Sequence, residues 1–364
     1  MHSIASSPSE TKLLRCNTVS VGFQQRQHKR HTLLLALGAL VLMASITSLS
    51  FGPAGWDLKL AVAWLAPDAW PQFSPLQLNI VTDIRLPRLC LALLIGAVLA
   101  QTGAATQALC RNPLADPSVI GISSGAAVVA VALIAFAPNF NFNAEALLPY
   151  GAFCGALLVT MLVYRFAQSG AGIQVTALIL IGVAINALSF ALIGLFSFYA
   201  DDSSLRLINY WTMGSLAGAT WSTLFSALPL FLICIVGLWL KRKEMSLLLL
   251  GETEAEYAGI NISRLKNQIV LFVAIGVGAA VALTGLIGFI GLVVPHLARI
   301  LVGTNMRAMM PVSLLLGALV ILASDWVARV IVLPAELPIG IVTALLGAPL
   351  FIWLLHRQLR SAMR

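Results

Sequence analysis

Charge is scarce in this chain of 364 residues, because only 10% of them are Asp, Glu, Lys or Arg. Soluble globular proteins carry about 25% charged residues. Hydrophobic residues make up 59%, and the mean hydropathy is +0.94. This composition excludes an ordinary soluble domain. Apolar stretches with few charges recur between residues 32 and 355, and they predict an all-α, polytopic membrane protein.

The sequence motifs of common enzymes are missing too. No Lys follows a Gly, so the phosphate-binding loop G-x-x-x-x-G-K-[ST] is absent. The run 121–125 (GISSG) has the spacing of a nucleophile elbow but no strand before it, and small residues that let helices approach closely are the better interpretation. We predict no catalytic residue and no cofactor on this chain.

Cysteine and histidine are equally few. The five cysteines show no spacing typical of a disulfide framework or a metal site, and four of them, in or beside apolar segments, read as packing residues. His296 is the one histidine outside the two terminal regions. A metal or haem site made by this chain is therefore not expected.

The apolar segments set the predicted topology. A short helix at 290–303, broken by Pro295, supplies a tenth crossing and places both basic termini on the cytoplasmic side, where Lys and Arg accumulate. Most of the 22 Lys and Arg then fall inside, so the net charge of +8 is explained by topology and needs no nucleic-acid partner. The other nine spans are 32–51, 89–109, 118–137, 145–167, 173–198, 222–240, 267–287, 312–333 and 338–355.

Regions outside the spans have their own predictions. Residues 1–31 are predicted to be a disordered cytoplasmic tail, because the apolar run after them is too long for a cleaved leader. The ten-span transmembrane domain is 32–356, and 357–364 form a second cytoplasmic tail. Three tryptophans in 52–87 indicate an interfacial helix. Asp116 and Pro117 are predicted to cap and begin the third span.

The loop 241–268 is charged, amphipathic and too long for a turn. Gly251 and Gly259 bracket about two helical turns, with Gly259 suited to a C-terminal cap and Asn261 to the N-cap of a second short helix. The apolar run 247–250 and Tyr257 would need cover, for which a partner protein is the simplest source.

Ionisable residues inside spans are costly and are functional candidates. They are Asp325, Arg329, His296 and Arg299, and a proton-driven carrier would need more. Asp325 and Arg329 are four residues apart on a helix and can pair, which favours a structural role for the carboxylate. His296 reads equally as a packing residue.

A weak internal repeat joins 97–103 (AVLAQTG) with 280–285 (AVALTG), each in the second span of a five-span half. An odd number of spans per half would invert the second copy, and inverted repeats are typical of transporters.

Several motifs occur along the chain in a fixed order. They are 85–88 (RLPR), 107–109 (QAL), 111–117 (RNPLADP), 121–126 (GISSGA), 288–296 (GFIGLVVPH), 336–340 (ELPIG) and 347–349 (GAP). This set closely resembles the permease subunits of binding-protein-dependent ABC importers for cobalamin, haem and ferric siderophores, the FecCD type. The resemblance implies a homodimer of ten-span subunits in a bacterial inner membrane. It also implies two separate ATPase subunits that bind ATP and Mg²⁺, and one periplasmic binding protein.

The resemblance also assigns roles to residues. Arg85, Arg88 and Arg329 would be basic pads that meet acidic groups of the binding protein, the alternative being lipid headgroup anchors. The loop after Gly251 would hold coupling helices that contact the ATPase. Its predicted contacts are Glu252, Glu254, Glu256, Tyr257 and Gly259, and the predicted cytoplasmic gate is Asn112, Leu114, Val175 and Thr176.

The substrate is less determined. The segment 210–221 (YWTMGSLAGATW) looks most like the haem-importing branch, with a ferric siderophore and cobalamin as alternatives. Two other classes stay open from the residues alone, a proton- or sodium-coupled secondary transporter and an intramembrane enzyme. Sparse buried acids disfavour the first, and the lack of a nucleophile and base on the spans disfavours the second.

Overall fold

The computed structural model describes residues 8–52, 55–56, 74–137, 144–169, 172–333 and 335–362. This part of the chain is helical, which confirms the all-α prediction, apart from two antiparallel pairs of two-residue strands. One pair is β1 (Phe51–Gly52) with β2 (Gly55–Trp56), and the other is β3 (Gln168–Ser169) with β4 (Gly172–Ile173). The predicted interfacial helix with Trp64 and Trp70 lies largely outside the described residues.

The helices follow the predicted spans in order. Short connecting turns join them, among them a π-helical segment at Ile80–Arg85 and a 3-10 helix at Pro117–Ile120. The α-helices are α1 (Pro8–Ser50), α2 (Pro75–Asn79), α3 (Leu86–Cys110), α4 (Ile122–Phe136), α5 (Ala144–Ala167), α6 (Val175–Tyr199), α7 (Asp202–Met213), α8 (Trp221–Leu248), α9 (Glu252–Tyr257), α10 (Ile262–Thr284), α11 (Ile290–Val302), α12 (Met306–Val330) and α13 (Ile339–Ala362).

Seven helical stretches in the described residues are long and apolar enough to cross a membrane. They lie in α1, α2–α3, α5, α6, α8, α10 and α12. Three further apolar helices, α4, α11 and the first part of α13, are shorter. Together they occupy the positions of the predicted spans, and the number of crossings stays a prediction.

The amino-terminal region differs from its prediction. Residues 8–31 were expected to be disordered, yet α1 begins at Pro8 and continues without interruption to Ser50. No proline follows Pro8 until Pro53, so nothing stops the helix once its apolar part has formed. Proline suits the first helical position.

Helix α3 forms the centre of the bundle and packs against α8, α10, α11 and α12. Small residues make this possible, because a Cβ atom on Gly96 would lie 2.2 Å from the carbonyl oxygen of Gly317 in α12. A Cβ on Gly103 would lie 1.9 Å from the carbonyl oxygen of Gly291. Backbones in such close contact gain the dispersion energy that drives helix association in lipid.

The same device joins α4 to α5, where a Cβ on Gly125 would lie 2.6 Å from the Gly155 carbonyl oxygen. This confirms the interpretation of the 121–125 run as packing residues. Asp116 caps as predicted, accepting a hydrogen bond of 2.8 Å from the Ser118 amide, but the helix it caps is the 3-10 helix before α4. Gly121, with φ of +84°, separates the two helices.

Two predictions on the second half need correction. Helix α11 runs through Pro295 without a break, as transmembrane helices allow when neighbours satisfy the freed backbone. The loop 241–268 holds one short helix, α9, because 241–248 end α8 and Asn261 caps the long helix α10. No proline lies between Asn261 and Thr284, so the helix that Asn261 begins extends into the bundle.

The repeat segments 97–103 and 280–285 lie in α3 and at the end of α10, and their inverted relation stays a prediction.

Candidate functional site

One end of the bundle holds a buried cluster of charges around Asp325 of α12. The Arg88 guanidinium from the start of α3 lies 2.9 Å from Asp325 Oδ1, and Arg329 Nε lies 3.0 Å from Asp325 Oδ2. Arg88 Nη1 also donates to Glu336 Oε2 at 2.8 Å. The predicted Asp325–Arg329 pair is confirmed. The carboxylate additionally ties α12 to α3, a contact the sequence analysis missed.

Helix α1 is joined to this cluster by two hydrogen bonds from arginines. Arg329 Nη2 donates to Ser48 Oγ at 2.7 Å, and Arg85 Nη1 donates to the Leu49 carbonyl at 2.6 Å. The Arg85 bond satisfies one carbonyl of the last turn of α1, where carbonyls have no partner inside the helix. The cluster therefore joins α1, α3 and α12 at one level of the bundle.

The three arginines predicted to dock the binding protein belong to this cluster and are buried, and their docking role stays a prediction. Arg85, Arg88 and Arg329 are only 7%, 9% and 6% exposed, so the structure does bring them together but places them inside the chain. Arg88 and Arg329 share the Asp325 carboxylate, which offsets the cost of burying their charges, whereas Arg85 donates to the Leu49 carbonyl. Asp325, near the end of the apolar helix α12, was the sequence signal for such a cluster.

Acidic groups lie on the surface at this same end. Asp201 caps α7, and hydrogen bonds from Ser203 and Ser204 lower its pKa to about 2. Asp202 is exposed beside it. Glu336 is the most accessible acid of the cluster, with 30% of its side chain exposed, whereas Asp325 has 2%. A visiting group would therefore meet Glu336 before Asp325.

The opposite end of α3 leads to α9. Glu252, the first residue of α9, accepts hydrogen bonds from Lys266 Nζ at 2.7 Å and from Arg111 Nη2 at 3.2 Å. Lys266 also donates to the Ile173 carbonyl at 3.2 Å and is buried. Ala255 anchors the middle of the helix in the core, with no exposed surface. The short helix is thus held rigidly against α10 and the end of α3.

The outer side of α9 is free for a partner. Tyr257 is 88% exposed, and Leu250 just before the helix is 71% exposed. Glu254 and Glu256 are exposed and form no ion pair within the described residues. Gly259, at φ of +82°, donates its amide to the Glu256 carbonyl at 2.8 Å, which confirms the predicted C-terminal cap. The Glu252 carboxylate is engaged inside the chain but about 33% of the side chain is exposed, and its role as an ATPase contact stays a prediction.

The four predicted gate residues lie on two separate elements. Asn112 and Leu114 are in the turn after α3, where the Leu114 amide donates to Asn112 Oδ1 at 2.9 Å. Val175 and Thr176 form the first turn of α6, and Thr176 is exposed. Within the described part of the chain no hydrogen bond joins the two pairs.

A cavity of about 440 Å³ lies between α4, α6, α10 and the 286–292 segment. Most of its wall is apolar, but Asn186 Nδ2 donates to the Ser118 carbonyl at 3.1 Å, and Ser124 Oγ donates to Asn186 Oδ1 at 2.6 Å. Asn186 was not among the predicted site residues. An amide side chain in the apolar helix α6, whose other polar residues are threonine and serine, was the available signal.

Metal-binding groups are not evident in the described residues, where no three or more His, Cys, Asp or Glu side chains cluster in a way that could hold an ion. His296 is partly buried, and its Nδ1 has no hydrogen-bond partner in that part of the chain.

Comparison with known proteins identifies the family. The model of the FecCD transport family matches residues 40–357. The chain belongs to the FecCD transport family. It is therefore the permease subunit of an ABC importer. In this family a separate ATPase subunit hydrolyses the ATP, and the secondary-transporter and intramembrane-enzyme alternatives are set aside.

Two relatives and one solved structure show how far the likeness to other FecCD proteins extends. The Hemin transport system permease protein HmuU of Yersinia pestis is 42% identical over 331 residues, which cover 89% of this chain and 96% of HmuU. The Vitamin B12 import system permease protein BtuC of Vibrio cholerae is 42% identical over 306 residues, covering 83% of this chain and 89% of BtuC. The solved structure of a metal-chelate type ABC transporter in an inward-facing conformation matches with a TM-score of 0.77 at 34% identity. The match covers 90% of this chain and 99% of the chain in that structure.

The charge cluster of this FecCD permease should stabilise it mainly through Asp325. We expect Asp325→Asn to lower the free energy of unfolding by about 3–5 kcal/mol, because two buried guanidinium groups lose their shared carboxylate. Glu336→Gln should cost much less, since that side chain is partly exposed and pairs with Arg88 alone. Thermal unfolding in detergent measures both. Equal midpoints for the two variants would show that Asp325 does not hold the cluster together.

Proposed function

We propose that this FecCD permease forms a homodimer that passes haem from a periplasmic binding protein into the cytoplasm. Two ATPase subunits, which bind ATP and Mg²⁺, supply the energy. The permease is a multi-pass inner-membrane protein with both termini in the cytoplasm. The match to the FecCD family over residues 40–357 is the observation that carries the importer part of this proposal.

Haem is favoured over other cargoes by the segment 210–221, which resembles the haem-importing branch. HmuU, a hemin transport permease 42% identical to this chain, supports it. A cobalamin permease is the second candidate, because BtuC of Vibrio cholerae is equally 42% identical over a slightly shorter stretch. A ferric siderophore is the third.

Uptake by proteoliposomes tests the cargo directly. Vesicles containing this chain, its ATPase and external binding protein should accumulate haem only when ATP is inside, and should not accumulate cobalamin or a ferric siderophore. Vesicles whose ATPase lacks its catalytic carboxylate serve as the control. ATP-driven uptake of cobalamin without haem would leave the importer class intact and make the haem assignment wrong.

A second copy of the chain is proposed to face helix α6. The helix is exposed over most of its length, and its exposed residues include Val183, Phe190 and Phe198. The cavity lined by Asn186 borders the same helix and measures about 440 Å³, toward the small end of ligand pockets. A second copy placed against α6 would enlarge the pathway to the size of a macrocycle. Asn112, Leu114, Val175 and Thr176 are proposed to close the cytoplasmic end of that pathway.

Coupling to the ATPase is assigned to the exposed side of α9. Because Glu252 and Ala255 fix the helix to the bundle, a push on Tyr257, Glu254 or Glu256 would be transmitted to α10 and α3 rather than lost in a flexible loop. Gly259 permits the turn that returns the chain to α10.

Two substitutions test this coupling role. Tyr257→Ala should lower ATP-driven uptake at least tenfold without changing the unfolding midpoint, because its ring is 88% exposed and packs on little of its own chain. Ala255→Pro should abolish uptake, because proline removes the amide that donates to the Gly251 carbonyl. Tyr150→Ala, at an exposed tyrosine of α5, is the matched control and should transport normally. Normal uptake by Tyr257→Ala would exclude α9 as the ATPase contact.

Docking of the binding protein is assigned to the opposite end, at Arg85, Arg88 and Arg329. The geometry adds a condition, since Glu336 already occupies the accessible side of Arg88. An acidic group of the binding protein would have to displace Glu336, while Asp325 keeps the guanidinium in place from below. Glu336 would then act as an internal competitor for docking.

Removal of this competitor should strengthen docking. We expect Glu336→Gln to raise the affinity of the binding protein about threefold to tenfold in nanodiscs at low ionic strength. Asp202→Asn removes one negative charge from the same end without touching Arg88 and controls for the overall field. Weaker binding by Glu336→Gln, or equal gains by both variants, would contradict displacement.

A further inference from the structure

A second cavity, of about 450 Å³, lies at the end of the bundle that carries α9. It opens between the turn after α3, the last turns of α8, and the α11–α12 connection. Its cationic side chains are Arg111, Lys243, Arg299 and Arg307, and no Asp or Glu is among the residues that line it. The proposed importer function gives a role to Asn112, which lines this cavity and belongs to the proposed gate, but none to the cations.

The positive charge of the cavity is largely uncompensated. Arg111 pairs with Glu252 at 3.2 Å, but Lys243, Arg299 and Arg307 have no carboxylate partner within the described residues. Arg299 Nη2 donates to Gln107 Oε1 at 3.0 Å, while its Nε is buried and has no acceptor in that part of the chain. A buried donor without an acceptor is costly, and a bound anion would satisfy it.

The surroundings of the cavity are apolar. Leu247, Leu249 and Leu250 line it beside the cations. On α11, Ile300 and Leu301, which follow Arg299, are each 52% exposed. A soluble phosphate needs only the cations. Cations lined by leucines, with the exposed Ile300 and Leu301 next in sequence to Arg299, match an amphiphile with an anionic head and acyl chains.

We propose that this cavity binds the phosphate-bearing headgroup of an acidic phospholipid. Basic pockets between transmembrane helices on the cytoplasmic side are suited to such headgroups. The headgroup would accept hydrogen bonds from Arg299, Lys243 and Arg307, and the acyl chains would cover Ile300 and Leu301. The bound lipid would bridge the ends of α8 and α11 next to Arg111, the residue that contacts Glu252 of α9.

Native mass spectrometry of the full-length protein in detergent tests the proposal with phosphatidylglycerol as the probe and phosphatidylcholine as the zwitterionic comparison. We expect the wild type to retain phosphatidylglycerol in preference to phosphatidylcholine. Lys243→Gln with Arg307→Gln should weaken phosphatidylglycerol binding roughly 10- to 30-fold. Thr304→Glu, which places a carboxylate in the cavity wall, should weaken it without removing any cation.

The matched control is Lys241→Gln with Arg264→Gln. This variant also removes two positive charges at the same end of the bundle. Lys241 pairs with Glu244, Arg264 is exposed at the start of α10, and neither residue lines the cavity. Unfolding midpoints check that each variant is folded. Equal phosphatidylglycerol binding by the cavity and control variants would overturn the proposal, as would equal binding of the two lipids by the wild type.

Addition of inorganic phosphate or ATP separates a lipid site from a site for a soluble anion. Neither compound at millimolar concentration should displace phosphatidylglycerol if the acyl chains contribute. If inorganic phosphate or ATP binds the wild type and phosphatidylglycerol does not, the cavity recognises a soluble phosphate and the lipid assignment is wrong. None of these outcomes depends on the cargo of the importer.

Discussion

Asp325 illustrates the constraint on which the rest of the structure depends, that polar groups inside a membrane bundle must be satisfied by the chain itself. This one carboxylate contacts Arg88 and Arg329, which come from two helices far apart in sequence. Arg329 in turn reaches Ser48 of α1. Three helices are therefore aligned at one level, and a shift of any of them would leave a buried charge without its partner.

Close backbone contact is the second feature that organises the bundle. Lipid gives apolar helices little reason to prefer each other over acyl chains, so their association depends on packing. Glycines at the α3–α12 contact and at the α4–α5 contact remove the side chains that would separate the helices. Helix α3 can then be enclosed on nearly all sides and connect the two ends of the molecule.

These two ends have contrasting surfaces. At the Arg88 end, Arg85, Arg88 and Arg329 are buried, and acids such as Asp201 and Asp202 lie on the surface. At the other end, Lys243 and Arg307 are exposed, and α9 presents Tyr257 on a helix held by Glu252 and Ala255. Because the rigid helix α3 connects the two clusters, docking at one end and ATPase contact at the other could be linked mechanically. That link belongs to the proposed function.

The sequence by itself determined the all-helical membrane class, the order of apolar helices, the Gly259 and Asn261 caps, and the FecCD family. These properties follow from local composition and spacing, which a linear chain displays directly. Only the tertiary structure decided that Arg85, Arg88 and Arg329 are buried rather than exposed, that Glu252 faces Lys266, and that Asn186 borders a cavity. Each of these depends on which helix packs against which, over separations of up to 281 residues for Arg329 and Ser48. Spacing along one helix can reveal a pair such as Asp325 and Arg329, but not the partner supplied by another helix.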